Sequence, residues 1–261
     1  MRLPGGPLAL AHRGGAGLPA NAGIENTLTA VRNAVELGYT YIETDVRASR
    51  DGVPFVVHDP DLGRVTGESI AVAELSAADL RAATLSGGES IPTLAELLEE
   101  FGHLWVNLDV KSDDVVEPAI EAVRRHGVED RVVVASFNDP RMRRVRRLAP
   151  EMATSASPRE VVAMLLGRSR ASARAGAVAL QVPKRWRGIE IATEAFVRRA
   201  HHQHMQVHVW TIDDPATIRT LLDRGVDGIV SDRIDVLREV LRERGQWPVP
   251  GGPGSDEAGS K

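Results

Sequence analysis

Apolar residues follow two rhythms along this chain, and the alternation between them predicts its elements. Runs such as Leu8-Ala9-Leu10-Ala11-His12, Arg131 to Ser136, Ala177 to Val182 and Gly228 to Ser231 are almost continuously apolar. That pattern suits strands covered on both faces. Between such runs, residues 26–38, 115–126, 140–148, 158–167, 193–203, 214–224 and 234–243 carry apolar positions at helical spacing, and Pro92-Thr93-Leu94 opens a further helix to about Phe101. Strands at 104–111, 152–155 and 207–212, and the first of two β-rich runs within 41–59 joined by Asp51-Gly52, complete the series. With the second arm of a hairpin after the second strand counted as an excursion, eight strands remain, each followed by a helix. Eight is the count of a (β/α)8 TIM barrel. The pattern therefore predicts one α/β barrel over residues 1–244, with a small insertion after the second strand at about 50–91. Within it, residues 60–91 lack strong periodicity apart from a short helix at 76–84. Residues 245–261, rich in Gly, Pro and Ser, are expected to form a disordered tail.

Polar residues that interrupt these runs are the candidates for chemistry. Asp51-Gly52 is a strong signal for a two-residue hairpin turn, and a turn centred there sets His58 across from Asp45. Glu43 and Asp45, two apart on one strand, share a face. Two hard oxygen donors and a proton carrier then lie in one patch. In the strand 104–111, Asn107, Asp109 and Lys111 alternate with apolar residues and form one polar face. A barrel gathers its chemistry where the strands reach their C-terminal ends. The same mouth should therefore collect His12 and Arg13, Ser136 and Asn138, and His208 and Trp210.

Composition narrows the function classes. The chain has 261 residues, 43% apolar and 26% charged, with a net charge of -4, the profile of an ordinary globular protein. A negative balance gives little sequence-independent pull toward phosphate backbones, so no nucleic-acid partner is expected. The chain has no cysteine, which excludes disulfides, thiolate catalysis and zinc-thiolate sites. The start of the chain lacks a secretion signal's apolar core, and no run reaches membrane-spanning length. A cytoplasmic enzyme without stable membrane insertion is the expectation.

Seven motifs occur in order across residues 8–240: His12-Arg13-Gly14, Glu25-Asn26-Thr27, Glu43-Thr44-Asp45-Val46, the Asp51-Gly52 turn with His58-Asp59, Asp109-Val110-Lys111, Trp210-Thr211, and Gly225 through Asp232. Together they resemble the glycerophosphodiester phosphodiesterase family. The resemblance implies a β/α barrel that hydrolyses glycerophosphodiesters to glycerol 3-phosphate and an alcohol with a divalent cation, Mg²⁺ or Ca²⁺. It implies Glu43, Asp45 and Asp109 as metal ligands and His12 and His58 as the catalytic histidine pair. Arg13 and Lys111 fall to the phosphate and Trp210 to the glycerol. It also implies a first attack by the glycerol 2-hydroxyl, giving a cyclic phosphate that water then opens. The family usually has Glu where Asp109 stands, and the shorter side chain changes the seat of the cation or leaves room for a water.

Other features have plainer readings. Glu25 and Asn26 are expected to shape their loop and cap the first helix. His201, His202 and His204 should face the opposite end of the barrel. The arginines at 141, 143, 144, 146 and 147 read as a solvated helix face. Lys184-Arg185-Trp186-Arg187 follows the sixth strand on the catalytic rim, either as a solvated loop or as a contact for an anionic head group. Two rivals stand beside the main expectation. A phospholipase-D-like enzyme acting on lysophospholipids would need an apolar groove, which residues 60–91 do not supply. A non-catalytic barrel that only binds phosphorylated ligands would show no cation-dependent turnover.

Overall fold

The Val-, Ala- and Leu-rich runs close into a ring because each such strand must cover two apolar faces, one against the barrel interior and one against a helix. The computed structural model describes residues 3–167 and 176–247. Its strands, in chain order, are β1 (Leu8–His12), β2 (Tyr41–Ala48), β3 (Pro54–Val56), β4 (Trp105–Val110), β5 (Val132–Ala135), β6 (Ala153–Ser155), β7 (Ala177–Pro183), β8 (Arg185–Trp186), β9 (Ile189–Glu190), β10 (Gln206–Trp210) and β11 (Gly228–Ser231). All but β3, β8 and β9 are parallel staves of one closed barrel, sealed where β1 pairs with both β2 and β11. The predicted eight-stranded barrel is the fold observed.

The helices are α1 (Leu28–Glu36), α2 (Gly63–Thr66), α3 (Ala77–Ala82), α4 (Leu94–Phe101), α5 (Val116–His126), α6 (Asp139–Leu148), α7 (Pro158–Leu165), α8 (Glu194–His201), α9 (Pro215–Asp223) and α10 (Ile234–Glu243). Their starts are written in the sequence. Thr93 accepts from the Glu96 backbone N–H at 3.2 Å while the Glu96 carboxylate accepts from Thr93 N at 2.7 Å, a reciprocal cap that fixes where α4 begins. The first helix starts one residue later than Asn26-led capping would require, since Thr27 is the cap and accepts from Ala30 N. In α10, Leu237, Val240 and Leu241 are buried against the barrel. Each contributes about 1.5–3 kcal/mol by leaving water, so Leu237→Ala should cost about 2–5 kcal/mol.

The hairpin differs from the expected register by one residue. Val46 pairs with Val56 and Ala48 with Pro54, while Ser49 N donates to Val53 O and Gly52 N to Ser49 O. Only Gly52 has positive φ, so Arg50, Asp51 and Gly52 form a three-residue loop rather than a two-residue one. Val57, not His58, therefore lies opposite Asp45, and its N–H donates to Asp45 O at 3.0 Å. His58 stands beyond the last strand pair, where alternation no longer dictates its side.

The insertion that follows has a core of its own, built from Phe55, Val57, Leu62, Val65, Val72, Leu80, Leu85 and Ile91. That core explains how a segment without strong periodicity stays ordered. It also contains the short α2, which the sequence pattern did not signal. At the other end of the chain, Trp247 packs on Tyr39 with ring centroids 5.1 Å apart, so residues 245–247 belong to the packed body. Residues 248–261 of the expected tail lie outside the described residues.

Candidate active site

Strand register brings the charged residues together. His12 is level with Glu43 across β1 and β2, and Asp45 is level with Asp109 across β2 and β4. Lys111 follows directly after β4, its N–H donating to Val46 O. These side chains, with Arg13 and His58, line one cavity of about 510 Å³. Trp210 lines it too, with Phe137 edge-on to its ring at 5.4 Å.

Both histidines are held through the same ring nitrogen. His12 Nδ1 donates to Asp232 Oδ1 at 2.7 Å, and His58 Nδ1 donates to Asp59 Oδ1 at 2.7 Å. A carboxylate on Nδ1 fixes orientation and leaves Nε2 for proton transfer. His12 Nε2 is 3.7 Å from Glu43 Oε2. Burial pulls the His12 pKa down, but Glu43 and Asp232 outweigh it, and the imidazole ends above its ordinary value. Asp59 is braced in turn by Arg64 Nε at 2.6 Å, and Arg64 pairs with Glu25, which also accepts from Arg13 at 3.0 Å. A chain of alternating charges therefore runs from His58 round to Arg13.

Glu43, Asp45 and Asp109 are all buried, with 7%, 1% and 4% of their surface exposed. Burial and the Asp45 charge push Glu43 up to about 7. Burial likewise raises Asp109, with Lys111 opposing. Burial acts in the same direction on Asp45, but Lys111 and Arg13 overcome it and hold that carboxyl below its usual range. Lys111 Nζ sits 2.8 Å from Asp45 Oδ1 and 2.6 Å from Asp109 Oδ2, and Asn26 donates to Asp45 Oδ2 at 3.1 Å. Asn26 thus serves the site rather than the helix cap.

Three buried carboxylates are the donor type that a hard divalent cation takes. Asp109 Oδ1 is buried without a hydrogen-bond partner, as a free ligand oxygen would be. The oxygens are nevertheless not gathered round one point: among the described residues, no group of three or more His, Cys, Asp or Glu side chains is arranged as a metal cluster. The Lys111 ammonium occupies the space between two of the carboxylates. A cation that drew on all three would have to displace it from at least one.

Several residues depart from their expected places. His208, expected at the mouth, is completely buried, donates from Nε2 to Gln206 Oε1 at 2.9 Å, and is pushed down to about 4 by burial. It fits inside the barrel because the neighbouring residue on β11 is Gly228; a Cβ there would lie 2.7 Å from the imidazole. Asn138 caps α6 through Arg141 N, while Ser136 does line the cavity. Three of the five arginines of α6 are engaged rather than merely solvated: Arg141 with Asp113, Arg144 with Glu117 and Arg146 with Glu160. His201 pairs with Asp227 just ahead of β11, at the far end of the barrel. Asp232 and Asp59 stand in recognised motifs but had no role; ring closure beside β1 and the adjacency of His58 were the available signals.

The chain is similar to known proteins over nearly its whole length. The model of the glycerophosphoryl diester phosphodiesterase family matches residues 12–236. A Mycobacterium tuberculosis protein named "Probable glycerophosphodiester phosphodiesterase 2" is 42% identical over 252 residues, covering 93% of this chain and 94% of that one. The chain belongs to the glycerophosphoryl diester phosphodiesterase family. It is thereby a phosphoric diester hydrolase. A family structure from Silicibacter pomeroyi superposes with a TM-score of 0.77 at 26% identity, covering 94% of this chain and 96% of that one. An Oleispira antarctica phosphodiesterase solved with the product sn-glycerol-3-phosphate shares the fold, with a TM-score of 0.72 at 23% identity, covering 91% and 97%. No helix among the described residues is long and apolar enough to cross a membrane.

Proposed function

We propose that this chain hydrolyses glycerophosphodiesters to glycerol 3-phosphate and an alcohol, with His12 and His58 exchanging protons at the two ester oxygens. The observation that carries the reading is the shared cavity: two imidazoles, each held at Nδ1 by a carboxylate, line it together with Arg13, Lys111 and three buried carboxylates. A phosphodiester repels nucleophiles, so its non-bridging oxygens need positive charge. Lys111 presents an ammonium as a point charge, and Arg13 a planar guanidinium able to hold two oxygens. Trp210 offers an apolar face to the glycerol carbons.

His12 suits the acid. Glu43 and Asp232 favour its charged form, so it carries a proton to hand to the departing alkoxide. His58 then acts as the base that takes the proton from the glycerol 2-hydroxyl as the ring forms; in the step that opens the ring the roles exchange, the now neutral His12 taking a proton from water and the protonated His58 returning one to the departing 2-oxygen. Glu43, Asp45 and Asp109 would hold a divalent cation, Mg²⁺ or Ca²⁺, which would add charge stabilisation at the phosphoryl oxygens. The experiment is turnover of glycerophosphocholine by the wild type, His12→Ala and His58→Ala, each checked for folding by circular dichroism. Loss of about a thousandfold in both variants supports the assignment, and full activity in either removes that histidine from the reaction.

A further inference from the structure

The apolar residues at the cavity mouth extend well past anything a glycerophosphate requires. Among the described residues, six large apolar side chains are exposed, and five of them gather here: Phe137 at 62%, Val162 at 49%, Leu166 at 66%, Trp186 at 55% and Ile189 at 64%. Phe137, Val162 and Trp186 also line the catalytic cavity. Leu166 continues the α7 side of this rim, and Ile189 faces Trp186 across the β8–β9 hairpin. The patch is therefore continuous with the mouth and is made by three segments around it, the β5–α6 loop with Phe137, α7 and the β8–β9 hairpin.

Its borders are cationic, although the whole chain is net negative. Arg185 and Arg187 are exposed on the hairpin, and Arg187 lies over the Trp186 ring at 4.8 Å. Arg159 at the start of α7 has 82% of its side chain exposed, and Asp139 lies 3.8 Å from it. The nearby acids are already engaged: Glu190 by Arg224 at 2.7 Å and Glu160 by Arg146 at 2.6 Å. An indole stacked under a guanidinium, beside exposed Phe, Leu and Ile, places apolar bodies and positive tips on one surface. That combination matches the acyl and phosphate layers of an anionic lipid surface.

We infer that the Phe137, Val162, Leu166, Trp186 and Ile189 rim, with Arg185 and Arg187, docks the catalytic mouth onto the surface of an anionic lipid aggregate. Docking is peripheral, by side chains that enter the head-group region, and it turns the cavity toward substrate lying in that surface. The assignment rests on the exposed patch and its charge, not on the roles of the histidines.

The test is co-sedimentation of the full chain with vesicles of phosphatidylcholine alone and with about one third phosphatidylglycerol. The expected result is binding to the mixed vesicles at low salt, release at high salt, and little binding to phosphatidylcholine alone. The paired variants L166E/I189E and R185E/R187E should each bind about tenfold more weakly or worse, with wild-type melting curves and wild-type turnover of water-soluble glycerophosphocholine. If the charged variants do not fold, L166S/I189S replaces the first pair and R185Q/R187Q the second. Absence of wild-type binding, or equal binding by wild type and folded variants, overturns the proposal. So does a lipid-free dimer in sedimentation velocity that L166E/I189E dissociates, because the patch would then be a contact between copies of this chain.

Discussion

The two walls of the catalytic cavity are built differently. The wall from β1, β2 and β4 carries His12, Glu43, Asp45, Asp109 and Lys111 on rigid strands, with buried charges balanced by named partners. The opposite wall, from α7 and the chain around the β8–β9 hairpin, offers Val161, Val162, Leu165, Trp186 and Ile191, without buried ion pairs between them. Chemistry needs positions fixed to fractions of an ångström, which paired strands supply. Contact with hydrocarbon needs only area, which a helix and a short hairpin can present. The walls should therefore respond differently to perturbation.

The polar wall should show the largest effect when the cation proposed for it is withheld. Turnover should fall about a thousandfold in a chelator and return with Mg²⁺ or Ca²⁺, as measured by glycerol 3-phosphate release. Unchanged turnover after exhaustive chelation would leave Lys111 and Arg13 as the sole counter-charges. Lys111→Met should come next, with about a hundredfold loss in kcat/KM. A folded variant at wild-type rate would remove the ammonium from the phosphate.

Asp232→Asn should act through His12. Without the anionic partner the His12 pKa falls back toward its ordinary value, so the limb of the rate profile that requires protonated His12 moves to lower pH. Activity at alkaline pH should drop about tenfold, while a lower rate with an unmoved limb would make Asp232 merely structural.

Glu43 gives a stability signature in cation-free protein. Its folded pKa is raised from 4.5 to about 7, so between those values the native state holds a proton that the unfolded chain has released. Stability from this group therefore declines as pH rises through that window. Glu43→Gln should melt higher than wild type above the window and lose the advantage below it, while losing turnover. Equal melting at both pH values would contradict the shifted carboxyl. The apolar wall should give the smallest effect. Leu165→Ala should change kcat/KM for water-soluble glycerophosphocholine by less than about threefold, and a larger loss would draw that wall into small-substrate binding.

The same contrast explains what was legible in the sequence. The polar wall could be read because a charged residue inside an apolar strand conflicts with burial, and Glu43, Asp45, Asp109 and Lys111 stand out for that reason. The apolar wall could not. Val161, Val162 and Leu165 have the spacing of an ordinary helix core face, and only the structure shows Val162 half exposed at a cavity mouth. Residues 60–91 were the wrong place to seek an apolar groove, since their apolar residues close on each other. The hairpin register failed on one backbone angle: Asp51-Gly52 supplies a single positive φ, not two. His208 failed because a strand residue two positions short of the strand's end reads the same as one at it.

The central claim is that the two imidazoles divide the proton work of the step that releases the alcohol, His12 giving to the leaving oxygen and His58 taking from the nucleophile. Comparing glycerophosphocholine with a nitrophenyl glycerophosphate, whose leaving group departs without a proton, tests it most directly. With release of the alcohol as the readout, the account predicts that His12→Ala loses about a thousandfold on the choline ester and recovers to within about tenfold of wild type on the nitrophenyl ester, while His58→Ala is impaired on both. Equal losses on the two substrates for His12→Ala, or rescue of His58→Ala instead, would contradict it.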